Sequence, residues 1–376
     1  MPTPVPLFDL SRVLMPHRPA LHAALERCLT HGIFVLGPEV AQFEKQLATY
    51  LGTPQAIGLS SGTDSLLATF LALISQGRLQ PGDEILTTAF TFIASATSIL
   101  RAGLRPVFVD IAPGHFHPQI ADYEQAWGPK TRGVLIVHLF GEPQPLDEIA
   151  QLCADNNGVM IEDCAQAIGA VQPDGRAVGT RGLAGTLSFF PAKNLGTLGD
   201  GGAAYTADPE LGQRIREIRQ HGMAAKYQHQ HLGGNFRLDA LHAAFLAVLL
   251  PELGGWIAAR RQHAARYTHE FKTLSDRGLL TLPGTIPGHA WNQYVIRTPH
   301  RDRVKAHLDS LSIGNAIYYP SALHVQGALR TANPPAALAN TDRACQEVLA
   351  LPIYPGLQEY EQALVIQAVT DALNAA

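Results

Sequence analysis

Cysteine, tryptophan and charge are all scarce in this chain. Its 376 residues include four cysteines, Cys28, Cys153, Cys164 and Cys345, with no close-spaced pair, which argues against a disulfide scaffold and a thiolate zinc motif. Charged residues make up 16% and nearly balance, 28 basic against 32 acidic, so nothing favours nucleic acid or an anionic membrane surface. Long apolar runs are missing too. The longest candidate, residues 238–250, contains Asp239 and His242 and stops at Pro251, as a packed helix does. The N-terminal Met-Pro-Thr-Pro-Val-Pro lacks a basic segment ahead of an apolar core, so a cytoplasmic protein with reduced thiols and no signal peptide is expected. Neither Gly-x-Gly-x-x-Gly nor Gly-Lys-Ser/Thr occurs, which sets aside a dinucleotide-binding dehydrogenase and a P-loop enzyme. His221, His229 and His231 cluster among the sixteen histidines, but no glutamate at helical spacing and no cysteine pair accompanies them, and no metal site is expected.

The chain does contain a regular alternation. From Gln55 onward short apolar stretches (56–59, 84–88, 106–111, 133–138, 159–163) alternate with helical patterns (63–75, 93–102, 145–155), the signature of crossover units and a mostly parallel sheet covered on both faces. Strands at 185–190 and 203–206 follow, and Asp208-Pro209-Glu210 opens a helix in the favoured cap, proline, acid order. Two long helices, 237–250 and 256–274, are joined by Pro251-Glu252-Leu253-Gly254-Gly255, which places a domain boundary there: 1–254 for an N-terminal arm and large domain, 255–376 for a smaller α/β domain. That smaller domain should hold strands near 293–297 and 315–318 and helices near 303–311 and 359–374. The proline-rich first residues read as an extended arm of the kind that lies on a partner subunit.

Three places carry chemistry. Lys193 sits in a loop of glycines and small residues, residues 185–202, with Phe189, Phe190 and Pro191 just before it and no second basic residue close by. Desolvation there disfavours the ammonium and leaves a nucleophile able to form a Schiff base with a carbonyl. Val159-Met160-Ile161-Glu162-Asp163 reads as a buried parallel strand ending in a carboxylate, where open α/β sheets put functional groups. Ser60-Ser61-Gly62-Thr63 precedes a helical pattern, a recipe for holding phosphate at a helix N-terminus. Lysine, aspartate and phosphate cradle together specify pyridoxal 5′-phosphate, whose aldehyde, ring nitrogen and phosphate each find a partner.

At these residues the chain resembles the DegT/DnrJ/EryC1/StrS sugar aminotransferases, enzymes with the PLP fold-type I architecture of the aspartate aminotransferase superfamily. The likeness runs from Gly32-Ile33-Phe34-Val35-Leu36-Gly37-Pro38 to Tyr318-Tyr319-Pro320 and rests on the order of Ser-Gly-Thr-Asp-Ser-Leu, Ala-Phe-Thr-Phe-Ile-Ala, Glu-Asp-Cys-Ala-Gln-Ala, Ser-Phe-Phe-Pro-Ala-Lys-Asn and Gly-Gly-Asn-Phe-Arg-Leu-Asp. It implies an α/β fold with a mostly parallel sheet in a large domain and a smaller C-terminal α/β domain. It implies a ping-pong transfer of an amino group, with L-glutamate as the expected donor, to C3 or C4 of a keto sugar on a nucleotide. By the same resemblance Lys193 and Asp163 are catalytic. Gly62, Thr63 and Ser188 hold the phosphate, Phe92 stacks on the cofactor ring and Gln166 bonds the ring oxygen. Asn235 reaches the phosphate of the neighbouring subunit in a homodimer, and Tyr319 and His324 line the sugar-nucleotide side.

Other readings stay open. A keto-cyclitol aminotransferase differs only in its acceptor pocket, and a sugar dehydratase on this scaffold would carry histidine in place of Lys193. Arg219, Lys226 and Arg237 are candidates for a nucleotide pyrophosphate. From other classes come a non-catalytic cofactor-binding regulator and a serine hydrolase, because Gly58-Leu59-Ser60-Ser61-Gly62 satisfies Gly-x-Ser-x-Gly.

Overall fold

The computed structural model describes residues 4–329 and 337–374, so 330–336 and the outermost ends of both expected domains lie outside the description. Its centre is a seven-stranded sheet of β1 (Gln55–Leu59), β2 (Glu84–Thr88), β3 (Arg105–Val109), β4 (Thr131–Val137), β5 (Val159–Asp163), β6 (Ala184–Ser188) and β7 (Gly202–Thr206), in spatial order β1-β7-β6-β5-β4-β2-β3. Pairing is parallel from β3 through β2, β4 and β5 to β6; only β7 runs against its neighbours β6 and β1. The carboxyl ends of β1, β2, β4, β5 and β6 and the start of β7 therefore share one edge.

Alternating side chains of each strand face opposite sides, so a sheet buried on both faces needs two apolar covers. Leu135 and Ile161 meet Leu66, Leu67 and Phe70 of a helix that also packs on Ile57 and Leu59. Their neighbours Val134, Ile136 and Met160 meet Tyr123 and Ile149 on the other side. The helices in chain order are α1 (Leu10–Leu14), α2 (Arg18–His31), α3 (Pro38–Leu51), α4 (Gly62–Ser75), α5 (Ile93–Arg101), α6 (Ile120–Ala126), α7 (Asp147–Asp155), α8 (Pro209–Ile218), α9 (Ala240–Leu249) and α10 (Leu253–Glu270). After α8, Met223–Ala225 and Gln228–His229 form a small hairpin, β8 and β9. The apolar α9 is a core helix, packed against α2 and α3.

The C-terminal part adds α11 (Lys272–Asp276), β10 (Tyr294–Arg297), α12 (Arg301–Ser310), α13 (Ala339–Glu347), β11 (Val348–Leu351) and α14 (Glu359–Asn374), with β10 and β11 antiparallel. Two expectations change here, and the arm's contacts within the chain are defined. Residues 251–255 are helical, a short 3-10 turn running into α10, because prolines and glycines near a helix start cost little. Residues 315–318 form no strand; Ala316 makes one bridge to Ala350, and the partner of β10 is β11. The N-terminal arm lies on its own chain: Val5 bridges Ile313, and Arg12 of α1 is held bidentately by Glu361 at 2.7 and 2.9 Å.

Candidate active site

A cavity of about 450 Å³ opens at the shared strand edge, lined by Ser61, Gly62, Thr63, Phe92, Asp163, Gln166, Ser188, Lys193 and Tyr319 among others. Separate segments, most of them loops after the strands, converge to form it, which is how an open α/β sheet builds a site.

The phosphate end is argued from backbone. Ser61 caps α4, its hydroxyl accepting from the Asp64 N–H at 3.0 Å. That leaves the first two helical N–H groups, of Gly62 and Thr63, with no acceptor among the described residues, at the positive end of the helix. A Cβ on Gly62 would lie 2.7 Å from the Ser188 Cβ, and one on Gly202 would lie 2.4 Å from the Ser61 carbonyl carbon. Only glycine lets α4, β6 and β7 approach this closely. Ser188 at the end of β6 thus faces the α4 N-terminus, and these donors fit a dianionic phosphate.

Asp163 ends β5, buried. Its Oδ2 accepts from the Ser95 hydroxyl at 2.9 Å and its Oδ1 from the Ala165 N–H at 3.1 Å, so the carboxylate is fixed in orientation. Burial raises its pKa, opposed by these hydrogen bonds and by the charge of Lys193. Lys193 follows β6 with its backbone N–H donated to the Phe190 carbonyl. Its stem reaches solvent in part, yet desolvation of the amine lowers its pKa to about 8, with Asp163 pulling the other way. Burial pushes both partners toward neutrality. A protonated ring nitrogen against Asp163 and a carbonyl against Lys193 would relieve both, so the residues fit pyridoxal phosphate.

Gln166 is oriented by its neighbours. Its Oε1 accepts from the Phe140 N–H at 2.6 Å, so its amide nitrogen is the donor end, giving one N–H to the Tyr319 hydroxyl at 3.4 Å. Phe92 lines the cavity and is 55% exposed, as is Phe190 at 51%, so the rim toward solvent is apolar.

Two expected site residues lie apart. His324 stands outside the cavity lining, its Nε2 3.5 Å from Asp342 Oδ1, because residues 323–325 form a short 3-10 turn that carries it past Tyr319. Asn235 is exposed, on a segment bridged to Gln220, and contributes nothing to the cavity of its own chain. Arg219 is committed internally, to Glu44 and, at 2.9 Å, to the Gly58 carbonyl, which removes it from the pyrophosphate candidates. Lys226 extends from the exposed β8–β9 hairpin, beside the Tyr227 ring. Ser60 is no nucleophile elbow: its hydroxyl donates to Asp64 of the following helix α4 at 2.7 Å, and no imidazole meets it among the described residues.

Sequence reasoning missed Ser95, His138, Asn292 and Gln293, all of which reach Asp163 or the cavity. Ser95 was findable, one turn into the helix after Phe92. Asn292 and Gln293 come from the C-terminal part and carry no local signal. Asn292 Nδ2 donates to Asn194 Oδ1 at 3.1 Å, and Asn194 Nδ2 to the Ala290 carbonyl at 3.0 Å, which ties that segment to the residue beside Lys193.

Residues 17–370 match the DegT/DnrJ/EryC1/StrS aminotransferase family. The chain is 40% identical over 371 residues to a "Pleiotropic regulatory protein" of Geobacillus stearothermophilus, covering 98% of each. It is 38% identical over 372 residues to the dTDP-3-amino-3,4,6-trideoxy-alpha-D-glucose transaminase of Streptomyces venezuelae, covering 98% of this chain and 96% of the relative. The crystal structure of Streptomyces venezuelae DesV, in complex with a ketimine intermediate, superposes with a TM-score of 0.92 at 37% identity and 99% coverage of both chains.

Proposed function

The chain belongs to the DegT/DnrJ/EryC1/StrS aminotransferase family, a PLP-dependent group, and from this we propose that it transfers the amino group of L-glutamate to the C3 keto group of a nucleotide-linked sugar. The observation that carries the reading is one cavity holding a depressed lysine, a fixed buried carboxylate and two free N–H groups at a helix N-terminus. The ring position follows the Streptomyces relative, named for a 3-amino sugar.

Bound pyridoxal phosphate supplies an aldehyde that takes up the amino group and a ring that accommodates the electron pair left by a departing proton. Gly62 and Thr63 N–H groups and the Ser188 and Thr63 hydroxyls bind the phosphate. Asp163, oriented by Ser95 and Ala165, keeps a proton on the ring nitrogen. Gln166 presents its amide N–H to the ring oxygen, and Phe92 stacks on the ring. Lys193 would anchor the cofactor and, once released, would carry the proton to and from the substrate carbon. A pKa of about 8 leaves roughly a tenth of that amine neutral at pH 7, ready to act as base. Tyr319 lines the acceptor side.

The active unit of this proposal is a homodimer. The apolar rim of Phe92 and Phe190, together with exposed Ile33, Phe34 and Val35, suits coverage by a second copy, and exposed Asn235 is the residue that would reach the partner's phosphate. The four free buried thiols suit a reducing compartment, the cytoplasm.

The test is release of 2-oxoglutarate from L-glutamate in the presence of nucleotide-linked keto sugars. Amination of 3-keto sugars, abolished by Lys193→Ala, supports the proposal. Turnover confined to 4-keto isomers would overturn the ring position, and turnover surviving in Lys193→Ala would overturn the site.

A further inference from the structure

A group of potential ligand side chains lies outside the cavity lining. His115 and His117 flank Phe116 in the loop after β3, and Glu142 belongs to the loop after β4. The three side chains place one ligand atom each within 4.8 Å of one another. Both His117 and Glu142 are more than nine-tenths buried, and His117 Nε2 and Glu142 Oε1 have no hydrogen-bond partner among the described residues. The two atoms face each other at 3.7 Å, too long for a direct hydrogen bond.

The tautomer of His117 follows from its other nitrogen. Nδ1 lies 3.1 Å from the Pro118 carbonyl, which can only accept, so Nδ1 carries the proton and Nε2 presents a lone pair toward Glu142. A buried lone pair aimed at a buried carboxylate oxygen is unfavourable unless something positive lies between them. Metal-bound imidazoles characteristically donate their second N–H to a carbonyl in this way.

We propose that His117, Glu142 and His115 bind one zinc-class divalent cation, clamping the loop after β3 to the loop after β4. Ligand bonds of about 2.1 Å to each of two atoms 3.7 Å apart subtend an angle of roughly 120° at the metal, which a four-coordinate zinc site accepts. His115, on the exposed side, supplies the third ligand and the entry path, and water takes the fourth position. Mixed imidazole and carboxylate donors favour zinc over magnesium or calcium.

Two other groups of potential ligands differ on this point. Glu162, beside His138 and Cys164, already accepts from His138 Nε2 and from the N–H groups of Gly179, Arg181 and Gly182. Glu39, beside Cys28 and His31, lies 3.7 Å from Arg27, a cation already in place. The proposed ion would act on packing. Phe116, held between the two ligand histidines, stacks on Phe90 with centroids 5.5 Å apart and meets Phe140 edge-on at 5.0 Å; Phe90 in turn meets Tyr319 of the cavity.

The test equilibrates untagged holoenzyme with zinc sulfate, removes free metal by gel filtration and counts zinc per chain by mass spectrometry. The wild type should retain about one zinc, with a thermal midpoint that rises when zinc is added. Glu142→Gln and His117→Asn should each lower retained zinc at least about tenfold and lose the thermal response. His115→Asn lies on the exposed rim, where the fold tolerates it, and should weaken binding even if the buried variants fail to fold. Wild-type zinc no higher than that of His115→Asn would overturn the proposal. So would loss of the zinc on replacing exposed His221, ahead of the β8–β9 hairpin, and His229 of β9 with asparagine.

Discussion

Placing a methyl group on Gly62 tests the phosphate cradle at its narrowest point. The new Cβ would stand 2.7 Å from the Ser188 Cβ, 3.3 Å from its Cα and 3.4 Å from the Leu187 carbonyl oxygen. These neighbours cannot retreat, because β6 is paired on both sides, Asp163 to Thr186 and Ser188 to Gly202. The first turn of α4 must therefore withdraw by about 0.7–1 Å to restore ordinary carbon contact distances. That carries the Gly62 and Thr63 N–H groups away from the phosphate position. Overpacking of this kind costs about 1–3 kcal/mol, which corresponds to roughly 5–150-fold in affinity. The assay is equilibrium dialysis of the apoenzyme against pyridoxal phosphate and, separately, against pyridoxal without its phosphate. Gly62→Ala should weaken binding of the first by about 10–100-fold and leave the second unchanged. Equal losses for both ligands, or no loss, would refute the assignment of these N–H groups to the phosphate.

Two further outcomes follow from the same geometry. Lys193 has a folded pKa lowered to about 8 by burial, so its neutral, nucleophilic form accumulates as pH rises through about 8 and not through the usual lysine range near 10.5. Competitive acetylation of the apoenzyme, read by peptide mass spectrometry, should show Lys193 labelling level off above pH 9; a Lys193 midpoint above 10 would refute the burial argument. Asn194→Ala strands the buried amide of Asn292, which costs about 1–3 kcal/mol in urea unfolding. The double variant Asn194→Ala/Asn292→Ala should recover part of that loss, and strictly additive losses would show that the two amides do not interact.

The central sheet was legible because its signals are local. Each strand from Ala56 to Asp163 is a short apolar stretch bounded by turn residues, and a parallel sheet buried on two faces leaves no other reading for them. Lys193, Asp163 and Gly62 were visible for the same reason, since each sits where a strand hands over to a loop. What escaped depends on distance in sequence. Asn292 joins the site through Asn194, 98 residues away, and nothing near either residue announces the other. Residues 315–318 look like a strand, yet tertiary context gives β10 a different partner, β11. His324 is named only by the family resemblance, and the turn at 323–325 leaves it outside the cavity lining of its own chain. His115 and His117 went unremarked because their partner Glu142 stands on another loop, joined to theirs only across the sheet edge.

The reversal of β7 has a mechanical consequence. Because β7 runs against its neighbours, the chain leaves the cavity edge at Ser188 and returns to the same edge at Gly202, so Lys193 rides on a closed hairpin loop while Asp163 stands at the end of a crossover. The loop is fastened within itself as well, by Phe189 N–H to the Gly201 carbonyl and Thr197 N–H to the Phe189 carbonyl. The position of the amine is thereby insulated from the crossovers. The lysine takes its registration to the strand edge from β6 and β7 themselves.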